Sequence, residues 1–266
     1  MVELSLKIIN KDGKVQAENI DQDEVFLVYK HAYQEGDKIV ITSSEKDIYL
    51  LAQVDDALGS AFIYLTKNEI TYHIPFAEKR ISYSPKVFYG DLHSLWVRVA
   101  TKEEIEAYKN LACNVMDQHE ADGFYPHTIA NVETRGEAVF ASRNAIDGVR
   151  VNNSHGPWPY QSWGINRQDD AKMRLEFGRK VLIDKIVLYT RADFPHDNWW
   201  KEVSFLFSDG SKLTWELEKS YKPHVIQFDK KEVEWLEFYN LIKSDDPSPF
   251  PALTQIEVYG VESNKN

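Results

Sequence analysis

The sequence predicts an all-β protein built as two antiparallel β-sandwiches joined by a short helix. Three observations lead there. Short runs of β-branched, aromatic and aliphatic residues recur along the chain, punctuated by Gly, Asp, Asn and Ser. A helix-start signal stands between two such sets of runs, near residue 102. The 266 residues are long for one sandwich and sufficient for two.

Residues 3–9 place Leu4, Leu6 and Ile8 on one face and end at Asn10-Lys11-Asp12-Gly13, a strand followed by a hairpin signal. Further strand-like runs cover 24–30, 38–42, 48–54, 61–65, 70–74 and 94–100. With no helix between them, they indicate an antiparallel sandwich. Thr101-Lys102-Glu103-Glu104 then reads as a capping box, the Thr hydroxyl accepting a backbone N–H and the Glu reaching back. Ile105, Tyr108, Leu111 and Ala112 continue at helical spacing, which predicts a helix over about 102–112 as the joint. The expected domains are therefore 1–112 and 113–262. Residues 113–140 read as irregular, broken by Gly123, Pro126 and Gly136. Strands are expected again over 173–177, 181–190, 202–208, 212–217, 224–228, 233–241 and 255–259, with Asp209-Gly210 as a hairpin turn.

Composition narrows the function classes. With 43% hydrophobic residues and a mean hydropathy of -0.46, the chain reads as soluble and globular. Residues 1–112 carry 13 basic and 18 acidic side chains and residues 113–266 carry 18 and 24, so the net charge of -11 is spread evenly. Nucleic acid and anionic membrane need a basic face and are disfavoured as partners. The one cysteine, Cys113, allows no intrachain disulfide, which points to a reducing compartment. The opening residues lack a basic start with an apolar run, and no stretch reaches the ~18 apolar residues of a membrane span, so a cytoplasmic location is expected. No G-x-S-x-G and no phosphate-cradling Gly-rich loop occurs, and none of the eight histidines pairs at zinc-site spacing. The 42 acidic residues always offer carboxylate pairs, so their number alone identifies no glycosidase centre. The expectation is a protein that is not an enzyme.

Six pieces of the C-terminal half, in order, resemble the discoidin or coagulation-factor type C family. They are Asn144-Ala145-Ile146-Asp147-Gly148, the segment Trp158 to Gly164, Leu175-Glu176-Phe177-Gly178, Val181 to Arg191, Phe207-Ser208-Asp209-Gly210 and Gln255-Ile256-Glu257-Val258-Tyr259-Gly260. The nearest likeness is to the galactose-binding-like carbohydrate modules attached to bacterial glycoside hydrolases. The resemblance implies a jelly-roll sandwich with ligand loops at one end and no catalytic residues. It also implies a structural calcium held by loop carbonyls with Asp147 and Glu257. The N-terminal half is expected to be a second jelly-roll-like sandwich packed on the first.

A sugar site needs an aromatic plate for the C–H face of a ring and forked polar groups for its hydroxyls. Two loops supply both, 152–164 and 191–200. Trp158, Tyr160 and Trp199 are the candidate plates. His155, Arg191, Asp193, His196 and Asn198 are the candidate hydrogen-bonders. Pro157 and Pro159 stiffen the first loop and Pro195 the second. Trp163 reads as core, and of the neighbours Trp199 and Trp200 one can face inward and one outward. The expected function is non-catalytic carbohydrate binding, with a sugar or oligosaccharide as partner. A protein-interaction module, a homodimer or an accessory subunit of a glycan-degrading enzyme remain as alternatives.

Overall fold

The computed structural model describes residues 1–151, 158–193, 196 and 198–263. Two antiparallel β-sandwiches account for nearly all the regular structure, as the sequence predicts. The N-terminal one is built from β1 (Glu3–Ile9), β2 (Val15–Gln22), β3 (Glu24–Tyr29), β4 (Lys38–Ser43), β5 (Ile48–Gln53), β6 (Ala61–Leu65), β7 (Glu69–His73) and β8 (His93–Val99). Its sheets run β2-β1-β4-β7 and, beginning from a strand described below, β6-β5-β8-β3. Alternation drives the packing. Leu4, Leu6 and Ile8 have no exposed surface, and Val25, Leu27 and Tyr29 are buried while Glu24, Phe26 and Val28 face out.

The joint differs from the expected helix over 102–112. The capping box forms, Thr101 Oγ1 accepting from Glu104 N and Glu104 accepting from Thr101 N, but helix α1 spans only Lys102–Glu106. Beyond it, the Lys109 ammonium donates to the carbonyls of Glu104 and Ile105, closing the helix end. Asn110 Oδ1 accepts from Ala112 N and Val258 N, which pulls β9 (Lys109–Asn110) into the C-terminal sheet. Backbone pairing with the closing strand outcompetes the helical spacing of Tyr108 and Leu111.

The chain then crosses back, so the expected boundary at 112/113 is not a single passage. Met116 and Phe124 are fully packed in the N-terminal core, and β10 (Phe124–Tyr125) adds to the edge of β6, pairing Phe124 with Leu65. Only from β11 (His127–Ala130) does the chain stay with the C-terminal sandwich. Asp117, wholly buried, holds this crossing. It accepts from His127 Nδ1 at 2.6 Å, Thr128 N at 3.1 Å and Thr128 Oγ1 at 2.8 Å.

The C-terminal sandwich continues with β12 (Trp163–Gly164), β13 (Met173–Thr190), β14 (Trp200–Phe207), β15 (Lys212–Glu216), β16 (His224–Lys243) and β17 (Ala252–Glu262). The pairing order is β12-β17-β13-β16-β14-β15. Strand β13 bends at Gly178, where φ is +67° and an added Cβ would lie 2.2 Å from the Tyr125 ring. Before the bend β13 pairs with β11, after it with β17. The bend also delivers Arg179 to the other sandwich. Its guanidinium forks onto Glu262 at 2.9 and 2.7 Å and lies 5.5 Å from the ring centres of both Tyr49 and Tyr64, while Tyr49 OH donates to Glu262 at 2.9 Å.

Because Phe124 fills the N-terminal core, Phe124→Ala should cost about 3–5 kcal/mol in a urea titration. A fragment of residues 1–126 should be clearly more stable than one of residues 1–112; equal stability would show that the crossing segment adds nothing to the first sandwich.

Candidate functional site

The two loops singled out in the sequence meet through Tyr160, whose main-chain oxygen accepts from Arg191 and whose phenol meets His196, while Trp158 is turned to the N-terminal sandwich. Trp158 is half-buried and its backbone N–H donates to Ile81 O at 2.8 Å, which fixes this residue against the N-terminal half. There it lines a cavity of about 100 Å³ with Asp147, Gln161, Arg143 and Tyr83. His155 and Pro157 lie outside the described residues, as do Pro195 and Asp197.

Tyr160, Arg191, Asp193 and His196 do come together, in a network that is buried except for the partly exposed Asp193. Arg191 has no exposed surface. Its Nε donates to Asp193 Oδ1 at 2.9 Å, Nη2 to Asp193 Oδ2 at 3.3 Å and Nη1 to Tyr160 O at 3.1 Å, with the cation 4.3 Å from the Tyr160 ring centre. Burial pushes the Tyr160 phenol up to about 12, with Arg191 opposing, so it carries its proton. The phenol meets His196 Nε2, and His196 Nδ1 meets Phe250 O at 2.6 Å. A carbonyl can only accept, so Nδ1 holds the proton and Nε2 accepts from Tyr160. Asn198 is equally buried. Its Nδ2 donates to the carbonyls of Asp246 and Ser248, and its Oδ1 accepts from Trp199 N and Ser244 Oγ. Tyr160, Arg191 and Asn198 therefore hold other loops in place with the groups that the sequence reading assigned to a ligand. Trp199 packs half-buried on the core, and Trp163 and Trp200 lie inside it.

What the network supports is a cleft of about 220 Å³ at the loop end of the C-terminal sandwich. Phe140 and Ile165 form its base, Pro249, Phe250 and Pro251 one wall, and His196 joins that wall through its ring. Gly164 is required there: a Cβ would stand 2.6 Å from Thr134 Oγ1 and 3.2 Å from the Phe140 ring. Thr134 Oγ1 in turn accepts from Asn166 N at 2.9 Å. Arg135, Asn166, Arg167 and Ser248 supply polar groups at the rim. Arg135, Asn166 and Arg167 have φ of 54°, 49° and 60°, a left-handed backbone that costs a side-chain-bearing residue free energy and is concentrated at functional sites. Of the expected ligand residues that are described, only His196 faces this cleft. The wall at 248–251 has one trace in the sequence, the run Pro247-Ser248-Pro249-Phe250-Pro251, a stiff segment displaying one aromatic.

Asp147 and Glu257 do not form a calcium cage as they stand. Asp147 accepts from Val149 N at 2.8 Å and Gln161 Nε2 at 3.0 Å; Glu257 is taken by the Arg150 guanidinium and the Tyr259 hydroxyl. A guanidinium on a would-be ligand opposes a second cation. Among the described residues no group of three or more His, Cys, Asp or Glu is placed to hold a metal ion.

No family model matches the chain, and no curated protein matches it. Solved structures are similar over half of the chain or somewhat more. Chitosan-binding module 1 of a chitosanase/glucanase from Paenibacillus sp. IK-5 is 17% identical, covering 57% of this chain and 98% of the module, with a TM-score of 0.40. The lectin domain of lectinolysin, complexed with Lewis B antigen, is 14% identical over 59% of this chain and 98% of its own, at 0.43. The family 32 carbohydrate-binding module of NanJ from C. perfringens, complexed with galactose, is 16% identical over 50% and 91%, at 0.37.

Two outcomes follow. Burial raises the Asp147 carboxyl to about 6, partly offset by Arg143, Gln161 and Val149 N. A raised carboxyl contributes stability only at low pH, and this is lost as pH climbs from the unfolded value near 4 through 6. Asp147→Asn keeps an acceptor for Val149 and lets Gln161 turn its unpaired Oε1 toward the new amide. It should stabilise the protein by up to ~3 kcal/mol at pH 8 and by nothing near pH 4, with melting unaffected by a chelator. Destabilisation at pH 8, together with chelator sensitivity, would instead mean that a cation keeps Asp147 ionised. Second, Arg191→Met should lower stability by about 2 kcal/mol through its lost internal hydrogen bonds, read as a drop in melting temperature.

Proposed function

We propose that the protein binds a saccharide, without cleaving it, in the cleft between Phe140 and Phe250. The observation that supports this most is the make-up of the cleft. Aromatic and proline walls offer C–H and π surface to a pyranose ring, while Asn166, Ser248 and two arginines at the rim match neighbouring hydroxyls. The walls are stiffened before any ligand arrives: three prolines flank Phe250, and His196 and Asn198 hold the carbonyls of Phe250 and Ser248. Less order is then lost on binding. The described residues that line the cleft include no Asp or Glu, and so none of them can protonate a glycosidic oxygen or act as base.

The test is a glycan array followed by calorimetry on the best ligands, with Phe250→Ala as the central variant. The half-exposed ring is the plate in this reading, and its removal should weaken binding by about thirtyfold, equivalent to ~2 kcal/mol, while the far-ultraviolet circular dichroism stays that of the parent. Unchanged affinity would move the site elsewhere, and the absence of any glycan ligand would remove the saccharide reading.

A further inference from the structure

Resting on the saccharide reading, we propose that this cleft selects sugars that carry a carboxylate, and that Arg167 is the residue that reads the acid. Asn166 and Arg167 are consecutive left-handed residues, and Gln168 N donates to Ile165 O at 2.9 Å across them. That is the geometry of a tight turn whose second central position is normally glycine, because any Cβ there is strained. Here the position carries the longest cationic side chain available. A left-handed non-glycine residue costs roughly 1–2 kcal/mol, and the outcome of accepting it is a guanidinium at the mouth of the cleft.

Its surroundings leave that guanidinium available. Arg167 is exposed, and no hydrogen bond or ion pair engages it among the described residues. Asp169 and Asp170 follow closely in the chain, yet neither pairs with it. The contact that it does make is with the Phe250 ring, 4.6 Å below the cation. A cation–π contact consumes none of the guanidinium's N–H donors, so the fork stays available to an anion beside the ring. A second cation, Arg135, stands at the same rim, steadied by Glu137 and by the Phe140 ring 5.5 Å away. The described lining holds no carboxylate to repel an anion, in a chain whose formal charge is -11. A planar carboxylate accepts two parallel N–H bonds from such a fork, an interaction that a neutral hydroxyl cannot reproduce.

Hexuronates and sialic acids share this chemistry, and calorimetry on the full chain separates them. The probes are trigalacturonate against its methyl ester, and sialyllactose against lactose. At low ionic strength the acid of one pair should bind about tenfold or more tightly than its neutral partner. That ratio should shrink as salt is raised, since the fork is exposed. Arg167→Asn, whose side chain tolerates the left-handed backbone, should bring the ratio to near one. The pair that responds identifies the source. An acid-to-neutral ratio near one in the parent, or a ratio that survives Arg167→Asn, overturns the proposal. Neutral sugars that bind in a Phe250-dependent way would then leave the saccharide reading standing, whereas no binding by any of the four removes both.

Discussion

A guanidinium sealed from water must have its N–H groups satisfied by protein, and Arg191 sets that demand at the loop end of the C-terminal sandwich. It sits just past β13, whose Val181, Ile183, Ile186 and Leu188 are core. Asp193 answers its charge through Nε and Nη2, and Tyr160 accepts from Nη1 and covers its face. Once Tyr160 is fixed, its phenol fixes His196, and the other nitrogen of His196 fixes the Phe250 carbonyl. The position of the cleft wall thus follows from a charge that never touches solvent. The relation explains why these side chains have the look of ligand residues: the geometry that suits an Arg fork for hydroxyls suits it equally for internal carboxylates and carbonyls.

A second constraint holds the sandwiches together. Residues 115–125 return to the N-terminal core before the C-terminal sandwich closes, and the Arg179–Glu262–Tyr49 group adds a tie beside the end of that segment. Both ties use buried or half-buried groups, so breaking either exposes polar groups whose partners lie in the other sandwich. Trp158 N, bonded to Ile81 O, and Ala138 N, bonded to Glu78 at 2.7 Å, add contacts along the same seam. Trp158 is taken up by this seam, and the cleft opens beside residues 164–167 and 248–251.

The strands were legible because their patterning is strong: β1 and β3 alternate cleanly, and the 181–190 run is apolar because β16 and β17 flank it. Strand β2 escaped notice since it is exposed along almost its whole length, and only its hairpin turn announced it. The capping box was real, but the length of α1 was decided by Asn110 reaching Val258, a contact 148 residues apart in sequence that no local window contains. At the site, His196 was legible as a loop residue able to bond. Burial of Arg191 and Asn198 was not, because loop composition does not say which side of a loop faces inward. Arg167 was hidden for another reason. An Asn-Arg pair carries no turn signal of its own, and the left-handed conformation that makes it informative appears only in three dimensions.

The central claim is that a saccharide occupies the cleft whose wall the Arg191 network holds in place. Hydrogen–deuterium exchange on the full chain, with and without a saturating saccharide ligand, tests it most directly. The account predicts added protection at residues 134–140, 164–168 and 248–252, with the strands far from this end unchanged. Protection confined to the seam, at residues 78–83 and 118–120, or to the outward face of β3, would contradict it.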